Sequence, residues 1–267
     1  MRFVLELEDG TKFYGNHFGY NKSISGEVVF NTSMVGYTEA LTDPSYKKQI
    51  LVLTYPLIGN YGVPSESLDE YEIEKYLESK NIQVEGLIVC QNTDGNSHWE
   101  SVKSLNNWMI DNKIPGISDI DTRKLTIKLR SMGTILGRIY HENETTIPDF
   151  IDYNSLDLVK EVSRDKVQII NLNGKHKIIA VDCGIKNSIL RQLAKRDLCI
   201  KVVPHDYNFA EEEMDGLFLS NGPGNPEKNV KLIENLRKFI KKDRDIPIFA
   251  ICLGHQLLSL AVGANIV

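Results

Sequence analysis

From residue 176 onward the chain interleaves four short apolar runs with three amphipathic stretches. The runs are KIIAVDC (177–183), LCIKVVP (198–204), MDGLFLS (214–220) and IPIFAIC (246–252). Between and after them lie KNSILRQLAKR, NVKLIENLRKFIKK and LGHQLLSLAVGA, whose apolar residues recur every three or four positions. A continuous apolar run of this length reads as a strand buried on both faces, and the 3.6-residue spacing reads as a surface helix. Strands alternating with helices demand right-handed crossovers, so this half is expected to be a doubly wound parallel sheet. Sites in such sheets lie at the carboxyl ends of the strands. Cys183, the turn 220–225 and Cys252 all fall at such ends.

The first half has a different pattern and reads as a mixed α/β domain. Strands are expected at 3–7, 26–32, 49–56 and 134–140, and helical spacing occurs at 68–79 and 101–111. Asp121 is placed to cap a helix over RKLTIKLRS. Residues 141–173 are more polar and irregular, with one short helix near 156–162. The expected organisation is therefore a domain over 1–150, a connecting segment over 151–175 and a sheet domain over 176–267. The net charge of −5 gives no support to nucleic-acid binding or to an electrostatic membrane surface. Charges inside MRFVLELEDGTKF do not suit a signal peptide, and no apolar run is long enough to span a bilayer. The four cysteines show no C-x-x-C pair and no zinc-like spacing, so no metal site is expected and a reducing, cytoplasmic location is.

Any cysteine after an apolar strand is first read as an inert core thiol, and that reading is kept for Cys90, Cys183 and Cys199. Cys252 differs in its surroundings. A strand turning sharply into a helix holds the residue at the turn on a nucleophile elbow. Gly254 removes side-chain bulk there, the helix N-terminus favours a thiolate, and the N–H of Leu253 can face a developing oxyanion. The turn Ser220-Asn221-Gly222-Pro223-Gly224-Asn225-Pro226 is an ordinary strand-ending turn by itself. Beside an elbow of the same sheet, Gly222 and Gly224 become a wall for a small polar substrate. His255 is set by the helix rather than by the thiol, and reads as a half-buried polar residue instead of the base.

LSNGPGNP followed by FAICLGHQLL resembles the class I glutamine amidotransferases, in which a cysteine attacks the side-chain amide of glutamine and a histidine and glutamate complete the triad. GEVVFNTSMVGYTEALTDPSYKKQILVLTYPLIGNYG and PGISDIDTRKLTIKLRSMGTILGRI resemble the opening domain of carbamoyl-phosphate synthase small subunits. VDCGIKNSILRQL resembles the start of their glutaminase domain. The resemblance runs from about Leu5 to Val267. It implies Cys252 as nucleophile, and Ser45, Gly222, Gly224, Leu253 and Gln256 as L-glutamine-binding residues. Asn225 stands where members often carry aspartate. The segment Ser97-His98-Trp99 resembles forms fused to the synthetase.

The resemblance also implies a partner, a carbamoyl-phosphate synthase large subunit or fused synthetase domain. That partner uses bicarbonate and two ATP with magnesium. No G-x-x-x-x-G-K-[ST] loop occurs here, so no cofactor is expected in this chain. The family's triad histidine and glutamate lie well beyond the elbow helix, and the sequence stops before them. The expectation is a glutaminase domain that is incomplete as given, with residues 1–267 inactive by themselves. A non-catalytic scaffold or regulatory module of the synthetase is the alternative.

Overall fold

The computed structural model describes every residue except Met1, Asp94, Asn96 and Val267. The outermost residues of the expected domains, Met1 and Val267, therefore lie outside the described residues. The chain forms two compact units, one of Met1–Ser67 with Ser79–Tyr153, the other of Leu68–Glu78 with Asn154–Val267. Among the described residues no helix is long and apolar enough to cross a membrane.

The first unit holds β1 (Arg2–Leu7), β2 (Lys12–Gly19), β3 (Ile24–Asn31), α1 (Tyr37–Thr42), β4 (Gln49–Ile58), β5 (Val63–Pro64), β6 (Gly86–Asn92), β7 (Ser101–Lys103), α2 (Leu105–Asp111), β8 (Pro115–Ser118), α3 (Thr122–Met132) and β9 (Leu136–His141). Seven strands close into a barrel in the order β1-β2-β8-β6-β4-β3-β9, while β5 pairs with β7. The pairs β3–β4, β4–β6 and β6–β8 are parallel, and the remaining barrel pairs are antiparallel. Phe3, Leu5, Ile50, Val52, Ile88, Ile117 and Ile139 fill the core, where Leu125 and Leu129 of α3 join them. The Asp121 carboxylate accepts from the Lys124 amide at 2.9 Å, capping α3 as its spacing predicts.

Two helical expectations are corrected. Residues 68–79 form no helix. The Asp69 carboxylate accepts from the amides of Tyr71 and Ile73, Glu72 takes φ 59°, and Leu68 bridges Glu74, so the backbone is spent on turns. Over 101–111 the chain begins as β7 and turns helical only after Ser104, whose hydroxyl accepts from the Asn107 amide.

The second unit holds α4 (Leu158–Val162), β10 (Gln168–Ile170), β11 (His176–Asp182), α5 (Asn187–Ala194), β12 (Leu198–Pro204), β13 (Gly216–Leu219), α6 (Val230–Lys241), β14 (Ile248–Ala250) and α7 (Leu253–Ala261). The sheet order is β10-β12-β11-β13-β14. Four strands are parallel, as the alternation predicts. Edge strand β10 is antiparallel, a departure from an all-parallel sheet. It is three residues long and buries only Ile170, too little for a pattern to reveal. Successive residues face opposite layers. Ile179, Val181, Leu217 and Leu219 pack with α6 and α7, whereas Ala180, Val202 and Phe218 pack with Leu190 and Ala194 of α5. Both faces are thus covered by helices, the doubly wound arrangement. Ile73, from the excursion at Leu68–Glu78, joins the α5 side.

Candidate functional site

Strands β11, β13 and β14 leave the sheet at the same end, with Val181 opposite Leu219 and Leu219 opposite Ala250. Three connections therefore meet there: 182–186, 220–229 and the turn into α7. The last is the sharpest. The Ile251 amide still donates to Leu219 as a sheet continuation, at 3.0 Å. One residue later Cys252 takes φ 51° and ψ −114°. Positive φ is uncommon for a residue with a side chain and stores strain of order 1–3 kcal/mol. The next residue, Leu253, begins α7, and the Gln256 amide donates to the Cys252 carbonyl at 3.2 Å. This is the strand–turn–helix geometry of a nucleophile elbow.

Gly254 makes the turn possible. Its amide donates to the Ser220 carbonyl at 3.0 Å, and a Cβ there would stand 2.5 Å from the Leu219 carbonyl oxygen. Any side chain would push α7 off the end of β13. The thiol of Cys252 is exposed, Cys90 is half-buried, and Cys183 and Cys199 are buried. Burial drives the Cys183 thiol far above the ordinary cysteine range, leaving it protonated and unreactive. Of the four thiols, Cys252 therefore combines access with a position at a helix N-terminus.

The other second-unit residues singled out in the sequence gather around this turn. Leu253 buries its side chain in the core, and as the first helical residue its N–H has no intrahelical partner. A Cβ on Gly222 would lie 2.0 Å from the Cys183 carbonyl oxygen and 2.8 Å from Leu253 Cδ2, so Gly222 is wedged between the end of β11 and the start of α7. Gly224 has φ 78°, and Leu158 lies 3.2 Å from where its Cβ would be. Gln256 is half-buried on the first turn of α7. Asn225 accepts from the Glu227 amide at 2.9 Å, a local cap that an aspartate at this position could also make. His255 is exposed on α7. Ser45 belongs to the first unit, in the 3₁₀ turn Pro44–Tyr46, where its amide donates to Asp43 at 2.9 Å.

Sequence reasoning missed the groups that tie the strand ends together. Asp182 is buried and accepts from the amides of Gly184 and Ile185 at 2.8 Å each, and from Arg164 Nε at 2.8 Å. Asn221 Nδ2 donates to the Gly184 carbonyl at 3.0 Å, and the Ser220 hydroxyl accepts from the Cys183 amide at 2.9 Å. The signal available was Asp-x-Gly directly after an apolar run, an Asx-turn pattern. The arrangement holds an exposed cysteine at a helix N-terminus, at the sheet end where two further loops begin. Such an arrangement suits attack on a carbonyl carbon followed by stabilisation of the resulting oxyanion.

Comparison with known proteins agrees with this geometry. Residues 5–139 match the carbamoyl-phosphate synthase small chain, CPSase domain, and residues 179–267 match glutamine amidotransferase class-I. The chain is 50% identical over 264 residues to the multifunctional protein CAD of Squalus acanthias, covering 98% of this chain and 12% of that protein. It is 46% identical over 263 residues to the mitochondrial carbamoyl-phosphate synthase [ammonia] of Aquarana catesbeiana, covering 98% and 17%. It is 46% identical over 265 residues to the carbamoyl phosphate synthase arginine-specific small chain of Neurospora crassa, covering 97% and 58%. The chain thus spans between about an eighth and three fifths of the length of these relatives. With a barrel unit that matches one family domain and an elbow-bearing sheet that matches the other, the chain belongs to the carbamoyl-phosphate synthase small chain family and carries its class I glutamine amidotransferase domain.

Proposed function

We propose that this chain is the glutamine-hydrolysing component of a carbamoyl-phosphate synthase. The observation that carries the reading is the strained, exposed Cys252 at the N-terminus of α7. On this reading the Cys252 thiolate attacks the side-chain carbonyl carbon of L-glutamine. The oxyanion is met by the N–H groups of Leu253 and Gly222. The C–N bond breaks, the nitrogen takes a proton and leaves as ammonia, and water then hydrolyses the thioester to glutamate. Gln256 and Gly224 hold the substrate, and Ser45 is assigned to it by the family resemblance alone. The ammonia passes to a synthetase subunit or fused domain, where ATP, magnesium and bicarbonate are used. On this reading the product enters arginine or pyrimidine synthesis, the former supported by the arginine-specific relative, and sparse cysteine supports a cytoplasmic location. The proton for the leaving nitrogen comes from an acid–base histidine, as the family resemblance implies.

The test is labelling of Cys252 by a glutamine-like electrophile such as a diazo- or chloro-ketone analogue. Selective labelling that glutamine prevents supports the reading. Labelling that glutamine leaves unchanged favours the alternative, a scaffold or regulatory module. That alternative draws support from the relative whose name specifies ammonia.

A further inference from the structure

Ser220 is fully buried at the end of β13, and it makes three contacts to the loops that frame the elbow. Its hydroxyl accepts from the Cys183 amide at 2.9 Å, which fixes the end of β11. The same hydroxyl donates to the Asn221 carbonyl at 2.8 Å, which folds the 220–225 turn back toward β11. Its carbonyl accepts from the Gly254 amide at 3.0 Å, which fixes the first turn of α7. The hydroxyl has one proton to give and lone pairs to receive with, and this geometry uses both capacities. Gly222 and Leu253, whose amides the glutamine-hydrolysing reading assigns to the oxyanion, lie two residues after Ser220 and one residue before Gly254. The carbonyl that crowds Gly222 belongs to Cys183, the residue whose amide Ser220 holds.

We infer that Ser220 is a positioning residue for the elbow: through Cys183, Asn221 and Gly254 it sets the spacing between the Gly222 and Leu253 amides. It touches no substrate. Without the hydroxyl, the Cys183 amide loses an acceptor and the Asn221 carbonyl loses a donor. The 220–222 backbone then loses two of the bonds that hold it, and an amide displaced by about 1 Å from the oxyanion loses on the order of 10²-fold in rate. Bound glutamine, held also by Gln256 and Gly224, is affected far less. The inference rests on the glutamine-hydrolysing reading.

The experiment uses the full-length protein with its synthetase partner. Ser220→Ala is expected to lower kcat with glutamine roughly tenfold or more, to leave KM within about threefold, and to leave ammonia-dependent synthesis unchanged. The comparison is a core variant matched for loss of Tm, Ile200→Val or Ile200→Ala, in the middle of β12. It is expected to keep the wild-type kcat. Ser220→Cys keeps a weak donor of nearly the same size; it is expected to fall between, and it is read by the same criteria if the alanine variant does not fold. A glutamine kcat within twofold of wild type in Ser220→Ala, or an equal loss in the Tm-matched Ile200 variant, overturns the positioning role and leaves the glutaminase reading standing. Glutamine-dependent synthesis retained by Cys252→Ser overturns both.

Discussion

The Cys183 carbonyl oxygen stands 2.0 Å from the point where a Cβ on Gly222 would be. The glycine is demanded by the protein itself, because the end of β11 occupies the space, and no ligand need be invoked. The sequence reads Gly222 as part of a wall for a small polar substrate, and the structure adds a packing demand at the same position. Gly222→Ala forces backbone against backbone and is expected to cost at least ~1–3 kcal/mol of stability. Gly224→Ala meets only the Leu158 side chain and a positive φ, and is expected to cost about 1 kcal/mol. Urea unfolding of both variants checks this, and equal midpoints would contradict it.

Cys252 is held at φ 51°, where a glycine is unstrained. Cys252→Gly is therefore expected to raise stability by about 1 kcal/mol while abolishing glutamine-dependent synthesis. Cys252→Ser keeps the strain and is expected to abolish glutamine use without raising Tm. Ammonia-dependent synthesis by the partner is expected to survive both. A Cys252→Gly variant less stable than wild type would show that the elbow is relaxed.

Much of the second unit was legible because its strands are buried on both faces and its helices are amphipathic. The elbow followed from FAIC running straight into LGHQLL. The barrel was less legible. β2, KFYGNHFG, carries two glycines, an asparagine and a histidine, residues that read as turn. β8 is four residues and opens with Pro115-Gly116. Only neighbours in the closed barrel make them strands. Ser220 could be seen as part of a turn, but its work depends on Cys183 and Gly254, 37 and 34 positions away, which no local pattern connects.

Asp9 carries a pH dependence of the barrel. An ion-paired hydrogen bond from Lys128 and the Thr11 amide at 3.0 Å hold its carboxyl down to about 2, from an ordinary 3.8. A depressed carboxyl pKa stabilises the fold above the unfolded value and ceases to do so as pH falls through the folded one. Asp9→Asn is thus expected to lose up to ~1 kcal/mol at pH 7, the pair being partly exposed. The gap to wild type narrows below pH 4 and closes toward pH 2. A gap constant from pH 7 to pH 3 would contradict it.

The excursion Leu68–Glu78 leaves the barrel sequence and completes the second unit. It grips the start of α5 by main-chain and side-chain bonds. The Asn187 amide donates to the Glu78 carbonyl at 2.9 Å, the Ser188 amide to the Glu78 carboxylate at 2.9 Å, and Asn187 Nδ2 to the Leu77 carbonyl at 3.0 Å. Arg191 donates to the Glu74 carbonyl. Ile73 is buried beside Leu190 and Phe218. Glu78 places negative charge at the N-terminus of α5, where Lys186 offers no side-chain cap. Removing this segment leaves the α5 amides without acceptors and opens one face of the sheet. Ile73→Ala is expected to cost about 2–4 kcal/mol, and Glu78→Gln about 1 kcal/mol. In both variants amide hydrogen exchange should rise in α5 and β12, with the barrel strands β1 and β9 unchanged. Equal acceleration in the barrel, or none in α5, would mean that the excursion is a passive loop and that the second unit is held together by its own half of the sequence.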